Sequence, residues 1–432
     1  MADPKVAATQ DSSLYEDSED FARAADETDP LRSYRQQFRM PTHQGQECIY
    51  LAGNSLGLQP KKVKEYIDEE LADWAQMGVE GHFAARHPWL PYHENLTDMT
   101  ARLVGARPIE VVVMNTLTVN LHLMMVSFYR PRRERYKILV EKNAFPSDQY
   151  AVASQAQFHG FDPSVAVVEL VPRSEELTLR TEDIIDLIDR QGQAIALVML
   201  GNVNYLTGQA FDMAAITEAA HAKGCLVGVN LAHGAGNLKL NLHDCDVDFA
   251  VWCSYKYLNA GPGSLAGCFV HERHAYEFDL PRFAGWWGHN KQTRFVMGPH
   301  FDPIAGAEGW QLSNPPIFPL AALRASLELF DAATMDALRS KSERLTGYLE
   351  FLLDRLPPGY CTIITPRDPA QRGCQLSLRI KGDPRAVLEH LKQVGVVCDF
   401  REPDIIRVAP TPLYNKFIDV YRFSRILSEH AS

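Results

Sequence analysis

The segment Val251-Trp-Cys-Ser-Tyr-Lys-Tyr-Leu-Asn-Ala-Gly-Pro-Gly263 joins a buried-strand pattern to a nucleophile. The apolar run Phe249–Cys253 reads as a strand that delivers Ser254, Tyr255 and Lys256 to its end, where Gly261, Pro262 and Gly263 turn the backbone. A lysine set between two tyrosines just past a buried strand is partly desolvated, which disfavours the ammonium and makes the neutral amine accessible near pH 7. Such an amine forms Schiff bases with carbonyl compounds, most commonly pyridoxal phosphate. An isolated lysine in this setting more often just snorkels off the strand end. The flanking tyrosines and the glycine turn favour chemistry.

Other segments repeat the pattern of a short apolar run followed by polar residues. Val111–Met114 ends at Asn115-Thr-Leu117-Thr118, where unpaired amides and hydroxyls at a helix start suit an anion; a plain threonine N-cap is the alternative. Residues 137–140 are followed by Phe145-Pro146-Ser147-Asp148, an aromatic on a proline turn beside a carboxylate, which suits a planar ring or is an ordinary loop. Asn230 and His233 follow the apolar run 225–229, as a site pair or as a turn residue and a satisfied core histidine. Arg407 interrupts Ile405–Val408, and a guanidinium in an apolar strand requires an anion, either a substrate carboxylate or a structural ion pair. Two motifs fail. Gly261-x-Gly263-x-x-x-Gly267 leads into a strand rather than a helix, and His271-x-x-His274 lacks the glutamate of a zinc peptidase, so no metal is assigned.

The elements that must position these residues follow from hydrophobic periodicity. Strands are expected over Val111–Met114, 137–140, 165–170, 194–200, 225–229 and Phe249–Cys253, with helices over 181–190 and Met213–Ala222 between them. This alternation predicts an α/β fold with a mostly parallel sheet covered by helices. Residues 61–77 place Val63, Tyr66, Ile67, Leu71 and Trp74 on one helical face, and 320–356 reads as one long helical stretch. Shorter strands over 375–380 and Ile405–Val408 predict a smaller α+β C-terminal domain. The expected division is an acidic segment over 1–45, a large domain over 46–318 and a small one over 319–432.

Composition limits the classes of function. The 432 residues are 46% hydrophobic and 22% charged, ample for a large core. The net charge is −11, and residues 1–30 alone hold nine acids against two bases, which suggests a solvated or loosely docked tail. Nothing in this balance favours nucleic acid. Eight cysteines without a C-x-x-C pair fit a reducing compartment. With no apolar span and an acidic start, a cytoplasmic protein that binds no membrane is expected.

Read together, nine segments resemble the kynureninase family, pyridoxal-phosphate hydrolases of fold type I (aspartate aminotransferase-like). They are Gly53-Asn-Ser55-Leu-Gly57, Gly81-His82, Asn115-Thr-Leu-Thr-Val-Asn-Leu-His122, Phe145-Pro-Ser-Asp148, Leu231-Ala-His233, Trp252-Cys-Ser-Tyr-Lys-Tyr-Leu-Asn-Ala-Gly261, Trp286-Trp-Gly-His289, Ser313-Asn-Pro-Pro316 and Ile406-Arg-Val-Ala-Pro410. The resemblance implies hydrolysis of a carbon–carbon bond in L-kynurenine or 3-hydroxy-L-kynurenine, within tryptophan catabolism and NAD biosynthesis. It makes Lys256 the cofactor-bearing lysine and proton shuttle. Leu117, Thr118 and Tyr255 would hold the phosphate, while Phe145, Pro146, Ser147, Asp148, Gly201, Asn230 and His233 would surround the ring. Trp286 and Asn314 would reach the cofactor of a second subunit in a homodimer. Ser55, His82, Trp287 and Asn314 would surround the aryl ketone, with His82 and Asn314 favouring the 3-hydroxy substrate, and Arg407 would hold the α-carboxylate. A related lyase or transaminase, or a weakly active paralogue, is the alternative reading.

Two positions depart from the family. Asn230 stands where an aspartate faces the pyridine nitrogen, and Gly201 where a small hydroxyl residue is usual. An amide supplies no charge, so slower turnover is expected, with Asp148 the nearest group able to compensate.

Overall fold

The computed structural model describes residues 14–431. Two compact units are distinguished: one comprises Lys62–Asn202 and Phe211–Asp331, and the other comprises 14–61, Val203–Ala210 and 332–431.

The first unit is built on seven strands, which we number β1 Val111–Met114, β2 Lys137–Glu141, β3 Val167–Leu170, β4 Ile195–Gly201, β5 Leu226–Asn230, β6 Phe249–Cys253 and β7 Ala266–Val270. Their order across the sheet is β1-β7-β6-β5-β4-β2-β3. Strands β2 to β6 pair in parallel, and β7 runs antiparallel between β1 and β6. The β1, β6 and β7 residues are buried throughout, as expected of strands covered on both faces. Val112, Ile138, Val140, Leu197, Phe249 and Val251 join Leu121, Met124 and Phe128 of the helix Leu117–Phe128 in one core. Each such fully buried large side chain contributes about 1.5–3 kcal/mol.

The second unit carries a four-stranded antiparallel sheet: β8 Cys361–Ile363, β9 Leu376–Ile380, β10 Asp399–Arg401 and β11 Ile405–Val408, in the order β8-β9-β11-β10. Leu376, Leu378, Ile406 and Val408 pack there with Leu345, Leu349 and Leu352 of the helix Met335–Leu353 and with Phe417 and Phe423 of the helix Phe417–Ala431.

Several expectations are corrected. The division at 318 is not the one seen, because the helix Ile317–Ala333 packs Ala322 and Ala325 against Val63, Tyr66 and Ile67 of the first unit. Residues 46–61 belong with the second unit, where Ile49 and Tyr50 pair with Val396 and Val397. The stretch 320–356 is two helices, interrupted at Thr334, whose φ is 64° and whose Oγ1 accepts from Ala337 N to cap the second. Strand β3 starts at Val167 because Pro163–Ala166 forms a helical turn capped by Asp162. On the helix Lys62–Met77, Leu71 and Trp74 are exposed, while Glu70 and Asp73 are buried through bonds from Trp89 Nε1 (2.9 Å) and Arg86 N (2.8 Å).

The acidic start is not a loose tail where it is described; residues 1–13 lie outside the described range. Ala22 and Ala25 of the helix Glu19–Glu27 join the second core, and Asp26 accepts from Phe417 N (2.7 Å) and Ile418 N (3.1 Å). These are first-turn amides that a helix cannot satisfy itself, so Asp26 caps the helix Phe417–Ala431 from a distant part of the chain. Replacing Asp26 with Ala should lower stability by about 1–2 kcal/mol, read as a reduced urea midpoint with an unchanged slope.

Candidate active site

In an open parallel sheet, ligands meet the carboxyl ends of the strands. In the first unit that edge carries the sequence-predicted residues in turn: Leu117 and Thr118 after β1, Phe145 to Asp148 after β2, Gly201 closing β4, Asn230 and His233 at and after β5, and Tyr255 and Lys256 after β6. Gly201 and Asn230 are register partners on adjacent strands. Parallel pairing thus gathers residues more than a hundred positions apart in sequence.

Lys256 is half-buried, and its Nζ lies 3.0 Å from His233 Nε2 and 5.7 Å from the centre of the Phe145 ring. His233 is 5% exposed, whereas Phe145 is 41% exposed, so a partly exposed aromatic side chain stands near the amine. The backbone must pass close behind His233: a Cβ at Gly234 would fall 1.9 Å from Asn202 Oδ1. Burial pushes the Tyr255 phenol up to about 12, with the neighbouring Cys253 thiol adding to the shift, so it stays a neutral donor.

Beside this group lies a buried acid–amide pair. Asn230 Nδ2 donates to Asp148 Oδ1 (3.0 Å) and Oδ2 (2.8 Å), and its Oδ1 accepts from Ala232 N (2.8 Å). The amide is therefore engaged at both ends, and the charge at this place belongs to Asp148. Burial raises the Asp148 carboxyl from its usual 3.8 to about 6, against the lowering effects of the Asn230 hydrogen bonds and the Lys256 charge. The helix Pro146–Phe158 supports the carboxylate from its first turn, where its dipole favours negative charge.

The β1 edge offers an anion site. The helix Leu117–Phe128 has Thr116 as N-cap, and among the described residues no side-chain cap bonds its first amides. Asn115 adopts φ 49° and donates instead to Asn120 Oδ1 at 3.0 Å. The Ser254 hydroxyl, next to Tyr255, is fully buried with no partner among the described residues. Uncapped amides, an orphaned hydroxyl, a half-buried amine, a nearby aromatic ring and a buried acid form the set of groups that pyridoxal phosphate requires, so the residues fit that group.

The remaining predicted residues of this unit have local partners. His82 places Nδ1 3.0 Å from Val79 O, with its ring edge-on to Trp89. Trp286 is 41% exposed and donates to Arg294 O (3.0 Å). Trp287 is buried, with the Arg294 guanidinium 4.4 Å from the centre of its ring. Asn314 is exposed.

In the second unit, Ser55 lies in a turn closed by its own N–H to Ala52 O (2.9 Å), beside Gly53, where a Cβ would strike Thr411 and Tyr414. Arg407 is 1% exposed: Nε donates to Asp399 Oδ1 at 2.6 Å, Nη2 bonds Asp399 Oδ2, and Nη1 donates to Tyr205 O at 2.6 Å. The structural ion pair is therefore present, and any second anion must use what the guanidinium has left. Sequence reading missed Asp399, although Pro403 and Asp404 between two short runs signal the hairpin that aligns it with Arg407. It also missed Gln375, which accepts from Asn54 and donates to Tyr205 O, linking the Ser55 turn to Arg407.

The raised Asp148 pKa has a consequence for the cofactor-free protein. An acid whose folded pKa exceeds its unfolded value favours folding below about 3.8, and that contribution is lost as pH rises through about 6. At about 1.4 kcal/mol per unit, the loss approaches roughly 3 kcal/mol. Cofactor-free Asp148→Asn should therefore be more stable than the parent above pH 6, with the difference shrinking toward pH 4 in paired thermal melts.

A family model described as the kynureninase C-terminal domain matches residues 338–427. The chain is 70% identical over 419 residues to a kynureninase of Myxococcus xanthus (97% of this chain, 98% of the relative). It is 60% identical over 413 residues to one of Koribacter versatilis (95% and 97%). A cysteine desulfurase of Escherichia coli shares the fold at TM-score 0.75 and 19% identity, over 92% of this chain and 98% of that one. Joined to the gathered lysine, histidine, aromatic face and buried acid, this similarity identifies the chain as a member of the kynureninase family.

Proposed function

We propose that the chain hydrolyses L-kynurenine or 3-hydroxy-L-kynurenine, releasing L-alanine and the corresponding anthranilate, with pyridoxal phosphate carried on Lys256. The observation that carries the reading is the half-buried Lys256 amine 3.0 Å from His233 Nε2 and 5.7 Å from the centre of the Phe145 ring. Similarity of 70% and 60% over nearly the whole chain favours this hydrolase over a lyase, a transaminase or an inactive paralogue.

The bound cofactor supplies an electron sink for the charge left when the substrate α-carbon loses its proton. The residues do the rest. Lys256 would anchor the cofactor, take the substrate α-proton and return a proton to the alanyl product. His233 orients Nζ. Leu117 and Thr118, at the helix start, and neutral Tyr255 hold the phosphate. Phe145 would cover the cofactor ring, fixed by Pro146 and Ser147 at the helix start, and Gly201 would leave room at the β4 end. Asp148 would hold negative charge toward the ring nitrogen, and Asn230 fixes the plane of that carboxylate by donating to both oxygens. Asn230 is thus a holder of the acid, which removes the reason to expect slow turnover. A water adds at the substrate ketone, and cleavage of the acyl bond completes the hydrolysis.

On the substrate side we assign the α-carboxylate to Arg407 and the aryl ketone to Ser55, His82, Asn314 and Trp287, the last through its backbone or after a shift, since its indole is buried. Exposed Trp286 and Asn314 support a homodimer in which each serves the neighbouring subunit. We place the protein in the cytoplasm, in the route from tryptophan toward NAD; none of its eight cysteines is bridged. Among the described residues, no helix is long and apolar enough to cross a membrane.

Borohydride reduction should fix the cofactor to the peptide containing Lys256, and Lys256→Ala should lose both linkage and alanine release from either kynurenine. A modified peptide elsewhere would overturn the assignment. Asp148→Asn should lower kcat at least about a hundredfold, roughly 2.7 kcal/mol of barrier, while Asn230→Asp should change it less than about tenfold. The reverse ranking would return the ring-nitrogen role to position 230.

A further inference from the structure

Arg407 has a partner whose position is set by the sheet. Three strands align Ser377, Arg407 and Asp399 across β9, β11 and β10, so Asp399 stands directly beside Arg407 in register. The Asp399 carboxylate grips one edge of the guanidinium, through Nε and Nη2, while Tyr205 O takes a hydrogen of Nη1. A guanidinium carries five N–H donors in a rigid plane. Three are used here, which leaves one hydrogen on each Nη.

We infer that Asp399 is a positioning residue for substrate recognition: by occupying the Nε edge of Arg407 it turns the remaining Nη pair toward the α-carboxylate of an amino-acid substrate. The inference rests on the proposed role of Arg407. The carboxylate is suited to this task for three reasons. It is bidentate, so it fixes the guanidinium plane as well as its place. It is held on a strand rather than a loop, and its second oxygen also accepts from Arg401 at 3.3 Å. Tyr205 O, which is shared with Gln375 Nε2 at 3.1 Å, closes the opposite side. Rotation of Arg407 about its last bonds would replace a fork with a single contact, and Asp399 prevents that rotation. An asparagine at 399 keeps the size but presents an N–H to the guanidinium, so the plane should turn away from it.

The test uses the cofactor-loaded enzyme with Asp399→Asn, Asp399→Glu and Arg407→Gln. Each is assayed for KM and kcat with L-kynurenine and for inhibition by kynuramine, which lacks the carboxylate. Asp399→Asn should raise KM at least about tenfold, change kcat less than about threefold and leave kynuramine inhibition within about twofold. Asp399→Glu, which keeps the charge one methylene further out, should lie between Asp399→Asn and the parent, and it replaces Asp399→Asn if that protein fails to fold. An unchanged KM for the Asp399 variants, alongside a raised KM for Arg407→Gln, overturns the inference while the Arg407 role stands. An equal loss of kynurenine and kynuramine binding also overturns it, because the effect is then general disorder. An unchanged KM for Arg407→Gln removes the Arg407 role, and the inference with it.

Discussion

One buried negative charge organises the cofactor end of this structure. Asp148 is almost fully removed from water, yet it keeps a carboxyl that ionises near neutrality because the Asn230 amide and the Lys256 charge oppose the cost of burial. An unpaired buried carboxylate would simply take up a proton and lose its value. With an amide donating to both oxygens, the carboxylate is oriented, as the proposed pairing with a cationic ring nitrogen requires. The rest of the site is arranged around that point: β5 supplies the amide, the helix after β2 supplies the acid, and β6 supplies the amine.

This arrangement also accounts for how the family's chemistry can be kept when an aspartate position reads asparagine. A carboxylate at 230 would stand within hydrogen-bonding distance of the one at 148, and like charges that close share a proton. Asparagine avoids that conflict by pairing with the acid. The charge is kept at a neighbouring position, on an adjacent element, at the same strand-end edge of the sheet.

Much of this was legible in the sequence, for physical reasons that can be named. Fully buried strands such as β1 and β6 are short unbroken apolar runs, so their ends, just before Thr118 and Lys256, could be read directly. The helix Met213–Ala222 was legible to the residue because Asp212 caps it. What could not be read depended on contacts distant in sequence. Asp26 capping a helix almost four hundred residues later leaves no local pattern, so the acidic start looked solvated. Glu70 and Asp73 are buried by partners in the following loop, so the buried face of their helix runs from Val63, Tyr66 and Ile67 onto two carboxylates rather than onto Leu71 and Trp74. The Arg407 fork was foreseen as needing an anion, but composition could not choose between substrate and Asp399; the strand register does.

The central claim is that Asp148, held by Asn230, supplies the charge at the cofactor ring. It is tested most directly by the ¹⁵N chemical shift of the pyridine nitrogen in protein loaded with ¹⁵N-labelled pyridoxal phosphate. The account predicts a protonated nitrogen at pH 7.5 in the parent protein and an unprotonated one in Asp148→Asn. A nitrogen that stays protonated after Asp148 is neutralised, or that is unprotonated in the parent, would contradict it.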